Sequence, residues 1–114
     1  MKIINKITGQ KGEILAQKYL KKQKYVIFDQ NYTCKLGEID IIAKDKDTLV
    51  FVEVKTRASN KFGRPCEAVT PYKQNKIRSV ANYYLMKTKQ IESNCRFDVI
   101  EVLDDEINHI KNAF

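Results

Sequence analysis

Gly37-Glu38-Ile39-Asp40-Ile41-Ile42-Ala43, then the polar Lys44-Asp45-Lys46-Asp47-Thr48, then Leu49-Val50-Phe51-Val52-Glu53-Val54-Lys55, is the stretch on which the fold turns. Both apolar runs are short and rich in β-branched residues, and the segment between them is polar, which predicts two strands joined as a β-hairpin. Alternate side chains of a strand point to opposite faces. Glu38 and Asp40 therefore share one face of the first strand, and Glu53 and Lys55 share one face of the second. If Ala43 pairs with Val50 around a loop of about five residues, Asp40 falls opposite Glu53 and Glu38 opposite Lys55. Ile39, Ile41, Val50, Val52 and Val54 then lie together on the other side.

Directly opposed residues hold their Cβ atoms about 4.5–5.5 Å apart, and like charges at that separation repel. A hard divalent cation would compensate, because Mg²⁺ accepts carboxylate oxygens and completes its octahedron with water, a backbone carbonyl and substrate phosphate. Lys55, two residues beyond Glu53 on the same face, could hold an attacking water or neutralise charge that builds on phosphorus. The competing reading of the same residues is structural: Lys55, Arg57 and Lys35 form ordinary ion pairs with these acids at the edge of the sheet.

Outward from the hairpin, Thr8 can cap a helix running to about Gln23, with Leu15, Ala16, Tyr19 and Leu20 as its apolar stripe. Tyr25-Val26-Ile27-Phe28 reads as a first strand that leads through Asp29-Gln30-Asn31 to a second extended piece around Tyr32-Thr33-Cys34. Thr56 to Pro71 holds both prolines and a glycine and reads as a surface loop. Thr70-Pro71 then starts a second helix that runs to about Met86, carried by Ile77, Val80, Ala81, Tyr84 and Leu85. Arg96 to Leu103 alternates as a strand, and the tail from Asp104 is either a frayed end or a short closing element.

A chain of 114 residues has the length of one domain and closes a hydrophobic core without staples. The net charge of +7 on so small a body favours a polyanionic partner, although solubility alone also accounts for it. Cys34, Cys66 and Cys95 lie about thirty positions apart, which indicates neither a disulfide framework nor a metal knuckle and suits a reducing cytoplasm. No apolar run approaches the roughly 18 residues that a membrane span needs, so secretion and membrane insertion are not expected. His109, alone in the chain and within the tail, has no partners with which to build a nucleophilic or zinc site.

Glu38-Ile39-Asp40, a short turn and Glu53-Val54-Lys55 together resemble the bipartite D…(D/E)-x-K signature of the PD-(D/E)xK nuclease superfamily. With Gly9-x-x-Gly12-Glu13, Phe51-Val52-Glu53-Val54-Lys55-Thr56-Arg57 and Arg96-Phe97-Asp98-Val99, nearly the whole chain looks like the YraN family of small bacterial proteins. The resemblance implies an α/β, restriction-endonuclease-like core with a mixed central sheet flanked by helices. It implies Asp40 and Glu53 as metal ligands, the carbonyl of Val54 as a further ligand, Lys55 as the catalytic lysine and Mg²⁺ or Mn²⁺ as the cofactor. Glu13 is a candidate catalytic helper by the same comparison, or else an ordinary helical glutamate favoured by the helix dipole.

The expected activity is metal-dependent, endonuclease or resolvase-like hydrolysis of DNA, branched or damaged, by a cytoplasmic protein for which homodimerisation stays open. Lys35, Arg57, Lys61, Arg64, Lys73, Lys76 and Arg78 are the candidates to track its phosphates, each with a solvated basic face as the alternative. The alternative function is a non-catalytic nucleic-acid-binding or protein adaptor that keeps the nuclease fold, since fold does not imply function.

Overall fold

The computed structural model describes residues 2–57 and 69–114, with side chains from Gln10 onward. Its elements run α1 (Lys2–Lys22), β1 (Val26–Cys34), β2 (Gly37–Asp45), β3 (Thr48–Arg57), α2 (Pro71–Lys87), β4 (Asn94–Leu103) and β5 (Glu106–Ile110). The strands form one sheet in the order β1-β2-β3-β4-β5. Pairing is antiparallel throughout except between β3 and β4, which run parallel because α2 carries the chain back between them. A mixed sheet flanked by helices is the α/β architecture expected of a restriction-endonuclease-like core.

The hairpin register is the one the alternation predicts, with Ala43 opposite Val50, but the connection is tighter than a five-residue loop. Pairing continues to Asp45 opposite Thr48, leaving only Lys46 and Asp47 to turn the chain, with Lys46 in the left-handed region at φ 58°. Two apolar layers result. Ile42, Leu49, Phe51 and Val99 face α2 through Ile77, Val80, Ala81, Tyr84 and Leu85. Ile41, Ala43, Val50, Val52, Ile100 and Val102 face α1 through Ala16 and Leu20. Ile39 departs from the expected face and packs with the α2 layer. The paired register between β2 and β3 stops at Ile41 opposite Val52, so strict alternation no longer governs the residues beyond it.

The bounds of α1, β1 and β3 differ from expectation, and the tail takes the second of its two readings, a short closing element. α1 starts at Lys2 and not at a Thr8 cap, because residues 2–7 contain neither proline nor glycine to stop it. β1 is one strand through Asp29-Gln30-Asn31, and a register irregularity between Ile27 and Asp29 absorbs the polar triplet. The tail closes as β5, antiparallel to β4 after a turn at Asp104, whose φ is 56°. Thr56 and Arg57 belong to β3 and not to the following loop.

Candidate active site

The site forms where β2 and β3 part. Beyond Ile41 and Val52 the backbone ladder between them ends, and the Asp40 side chain takes over: its Oδ2 accepts the Val54 N–H at 2.8 Å. Glu53, one residue earlier on β3, is 5% exposed and meets the Asp40 carboxyl in a side-chain hydrogen bond. Two carboxyl groups in contact inside a protein cannot both ionise freely. Burial, then the charge and hydrogen bond of Glu53, push the Asp40 pKa up to about 8, against a smaller opposing pull from the Val54 N–H. The Asp40–Glu53 pair therefore holds a shared proton near neutral pH.

The expected juxtaposition of Asp40 and Glu53 is thus present, and Lys55 joins it with Nζ 3.5 Å from Glu53 Oε2. Glu38 does not oppose Lys55 as expected, because the register has ended; its Oε2 instead lies 3.4 Å from Thr33 Oγ1 on β1. The nearer cation to Glu53 comes from α2. Thr70 caps that helix by accepting the Lys73 N–H at 3.2 Å, and Pro71 occupies its first turn. The cap fixes Lys73 in the turn that faces the parted strands, and its Nζ reaches Glu53 Oε2 at 2.7 Å. Burial acts to depress the Lys73 pKa, but the bond and charge of Glu53 outweigh it and raise the value.

Glu13 enters from α1. Gly12 lies so close to Thr56 of β3 that an added Cβ would strike the Thr56 hydroxyl and stand 3.1 Å from its Cβ. That contact brings Glu13, half-buried, within the field of the cluster: burial first, then the charge of Glu38, raise its pKa, with a bond to Asn31 opposing and Glu53 adding. Glu13 in turn adds to the upward pressure on Asp40. Asp40, Glu53 and Glu38 line a cleft of about 390 Å³ with Thr70, Tyr72, Lys73 and Lys76.

The basic candidates divide. Lys73 and Lys76 border the cleft, and Lys35 is exposed in the turn between β1 and β2. Arg57 is largely covered, its Nε 3.4 Å from Glu101 Oε2, and Arg78 lies over the rings of Phe97 and Phe114 at 5.8 and 5.3 Å. Lys61 and Arg64, with Cys66, fall outside the described residues. Among the described residues no group of three or more His, Cys, Asp and Glu side chains is arranged to hold a metal ion by itself.

Sequence reasoning missed two features. One is the direct approach of Lys73 to Glu53, which the Thr70-Pro71 helix start could have signalled. The other lies on the opposite face of the sheet, where fully buried Asp98 binds Arg96 Nε at 2.9 Å, His109 Nε2 at 2.7 Å and the Asn112 N–H at 3.0 Å. Tyr19 Oη lies 3.0 Å from His109 Nδ1, and Arg96 also reaches Tyr25 Oη at 2.7 Å and Asp45 at 3.2 Å. His109 thus has hydrogen-bond partners on α1 and β4 that the sequence reading, which asked only for a nucleophilic or zinc site, did not anticipate. Alternation with Ile100 and Val102 was the available signal that Asp98 points inward.

Residues 12–102 match the uncharacterised protein family UPF0102. A UPF0102 protein of Clostridioides difficile is 51% identical over 112 residues, covering 96% of this chain and 98% of its own. One from Geobacter metallireducens is 47% identical over 118 residues, covering 100% and 97%, and one from Clostridium botulinum is 50% identical over 122 residues, covering 100% and 98%. No helix among the described residues is long and apolar enough to cross a membrane.

Proposed function

The chain belongs to the uncharacterised protein family UPF0102, and from its site we propose that it is a divalent-metal-dependent nuclease that hydrolyses phosphodiester bonds in DNA. The observation that carries this reading is the buried contact between Asp40 and Glu53 at the point where β2 and β3 separate. A purely structural role would not call for two acids so close that one must stay protonated near neutrality, whereas functional sites collect such shifts.

The donor chemistry fits a hard cation. Asp40 and Glu53 present carboxylate oxygens, and Val54 offers a carbonyl on the same edge of β3 as the N–H that binds Asp40, since both groups of a strand residue point to one side. A set of two acids and one carbonyl leaves room for water and phosphate, as Mg²⁺ and Mn²⁺ prefer. Such an ion would supply an activated water and charge stabilisation at phosphorus. Lys55, with its ammonium 3.5 Å from Glu53 Oε2, would be placed to orient that water and to offset negative charge developing at phosphorus. Lys73, half-exposed and bound to Glu53, presents its ammonium to a phosphate entering the cleft, and Lys76 extends the positive rim. Glu13 tunes the acids through its field and stands beside them as a helper.

One observation favours the adaptor reading: the Lys73 ammonium, 2.7 Å from Glu53 Oε2, neutralises that acid from within the fold. Cleavage assays on duplex, single-stranded and branched DNA, with Mg²⁺, with Mn²⁺ and with chelator, decide between them. Metal-dependent cleavage that vanishes in Asp40→Asn, Glu53→Gln and Lys55→Ala supports the nuclease. DNA binding with no cleavage of any substrate under any metal supports the adaptor.

A further inference from the structure

Tyr72 stands 72% exposed on the first turn of α2, immediately beside the Asp40–Glu53 cleft. Tyrosine at helical spacing is more often packed, and Tyr84 on the same helix follows that habit, buried against Phe51 and Tyr32. Among the described residues, the group set against the Tyr72 ring is instead Lys76, with Nζ 5.6 Å from the centroid. An aromatic ring held out of the core, flanked by lysines and bordering two carboxyl groups, combines a stacking surface with phosphate-binding charge. Those are the two components with which proteins hold unpaired bases. The cleft, about 390 Å³, lies at the lower end of the range for small-ligand pockets.

We propose that Tyr72 is a base-stacking platform, so that the preferred ligand of this cleft is a nucleic acid with an unpaired base beside the phosphate at Asp40 and Glu53. The inference rests on the nuclease reading and narrows its substrate class. Lys76, on the ring and at the rim of the same cleft, adds cation–π attraction and a phosphate contact. A base inside an intact duplex is already stacked on both sides, so the ring offers it nothing until it is displaced. Discrimination between paired and unpaired DNA follows without any base-specific hydrogen bond.

The chain contains no tryptophan, so Tyr72→Trp introduces a single fluorophore at the proposed contact. The test titrates this variant, in chelator and at low salt, with a labelled single-stranded oligonucleotide and with the blunt duplex of the same sequence. Label anisotropy reports binding while tryptophan emission reports stacking. Strong quenching by the single strand and little by the duplex, at matched saturation, is the expected result. In parallel, Tyr72→Ala should weaken single-strand binding by about five- to 150-fold, the range for loss of one base–aromatic stack, and leave duplex binding within about twofold, while Tyr72→Phe retains the parental affinity. Saturated anisotropy with unchanged emission, or equal quenching by both ligands, overturns the stacking role and leaves the nuclease reading standing. Absence of binding to either oligonucleotide overturns both.

Discussion

Lys73 Nζ lies 2.7 Å from Glu53 Oε2, closer than Lys55 at 3.5 Å, so a helix neutralises the buried acid of the site more directly than its neighbour on the same strand does. The Lys73 side chain is 47% exposed, and solvent screens much of the attraction. Replacing it with Met should lower stability in urea melts by about 0.5–1 kcal/mol, and a double-mutant cycle with Glu53→Gln should show that most of this loss is shared. Equal losses in both backgrounds would mean that the contact carries no coupling.

Asp40 gives the sign of the pH dependence. Its carboxyl, near 3.9 in the unfolded chain, is raised to about 8 in the fold. Below about pH 4 both states are protonated and the group contributes nothing. As pH rises toward 8 the unfolded chain ionises first, so this group erodes stability progressively and levels off beyond that point. Asp40→Asn keeps an acceptor for the Val54 N–H and removes the charge. It should therefore raise metal-free stability by a few kcal/mol at pH 9, at about 1.4 kcal/mol for each pH decade between the two pKa values, and hardly change it at pH 4. Thermal melts across this range in chelator test it; a variant less stable than the parent at pH 9 would refute the strained pair.

Metal should reverse that penalty. A cation between Asp40 and Glu53 requires both ionised, so its binding releases a proton and tightens as pH climbs toward 8. Mn²⁺ at about 100 times its dissociation constant should stabilise the parent by about 2.7 kcal/mol, and Glu53→Gln should lose most of this gain. Calorimetric titration in buffers of different ionisation enthalpy counts the proton. A melting temperature indifferent to Mg²⁺ and Mn²⁺ in parent and variant alike would remove the metal site.

Much of the site was legible because a strand's two-residue period converts sequence spacing into spatial facing. Asp40, Glu53, Lys55 and the Ala43–Val50 pair needed nothing else. What that rule cannot supply is where pairing stops. Ile39 and Glu38 were misplaced because the β2–β3 ladder ends at Ile41 and Val52, an outcome set by the Asp40 side chain capturing a backbone donor. Lys73 and His109 were missed for a different reason: each meets its partners through packing between different elements, Lys73 of α2 with Glu53 of β3, and His109 of β5 with Asp98 of β4 and Tyr19 of α1, which the period within one strand or helix does not report. Helical spacing already separated Tyr84, on the stripe with Ile77, Val80, Ala81 and Leu85, from Tyr72, which lies off it; that Tyr72 borders the cleft with Asp40 and Glu53 appears only in the fold.

Gly12 tests how α1 is seated. An added Cβ meets the Thr56 side chain, so Gly12→Ala must push the helix or the strand aside. Overpacking of this kind typically removes about 1–3 kcal/mol, and any shift carries Glu13 away from the acids. Deleting the Thr56 hydroxyl and methyl with Thr56→Ala should recover part of the loss, because the nearest contacts involve Thr56 Oγ1 and Cγ2 as well as Cβ. Additive effects in the double variant, measured by denaturant melts, would show that the two residues do not press on each other.

Asp98 supplies the opposite sign from Asp40 on the opposite face of the sheet. Burial alone would raise its pKa, but the bonds from His109, Arg96 and the Asn112 N–H outweigh it and hold the value below the usual carboxylate range. Its contribution is therefore fully present above the unfolded pKa near 3.9 and is lost as pH falls through the lower folded value. Asp98→Asn leaves Arg96 and His109 without their buried anion, a change that typically removes about 3–5 kcal/mol. That loss should be large at pH 7 and shrink in strong acid, whereas the gain from Asp40→Asn grows toward alkaline pH. Because Asp98 lies with the α1 layer and not in the cleft, correction for the folded fraction should leave the Mn²⁺ affinity of Asp98→Asn within about twofold of the parent, well inside the 10-fold or greater loss that follows removal of a metal's supporting shell. A tenfold weaker metal affinity in folded Asp98→Asn protein would make the network part of the site and not only a brace for β4, β5 and α1.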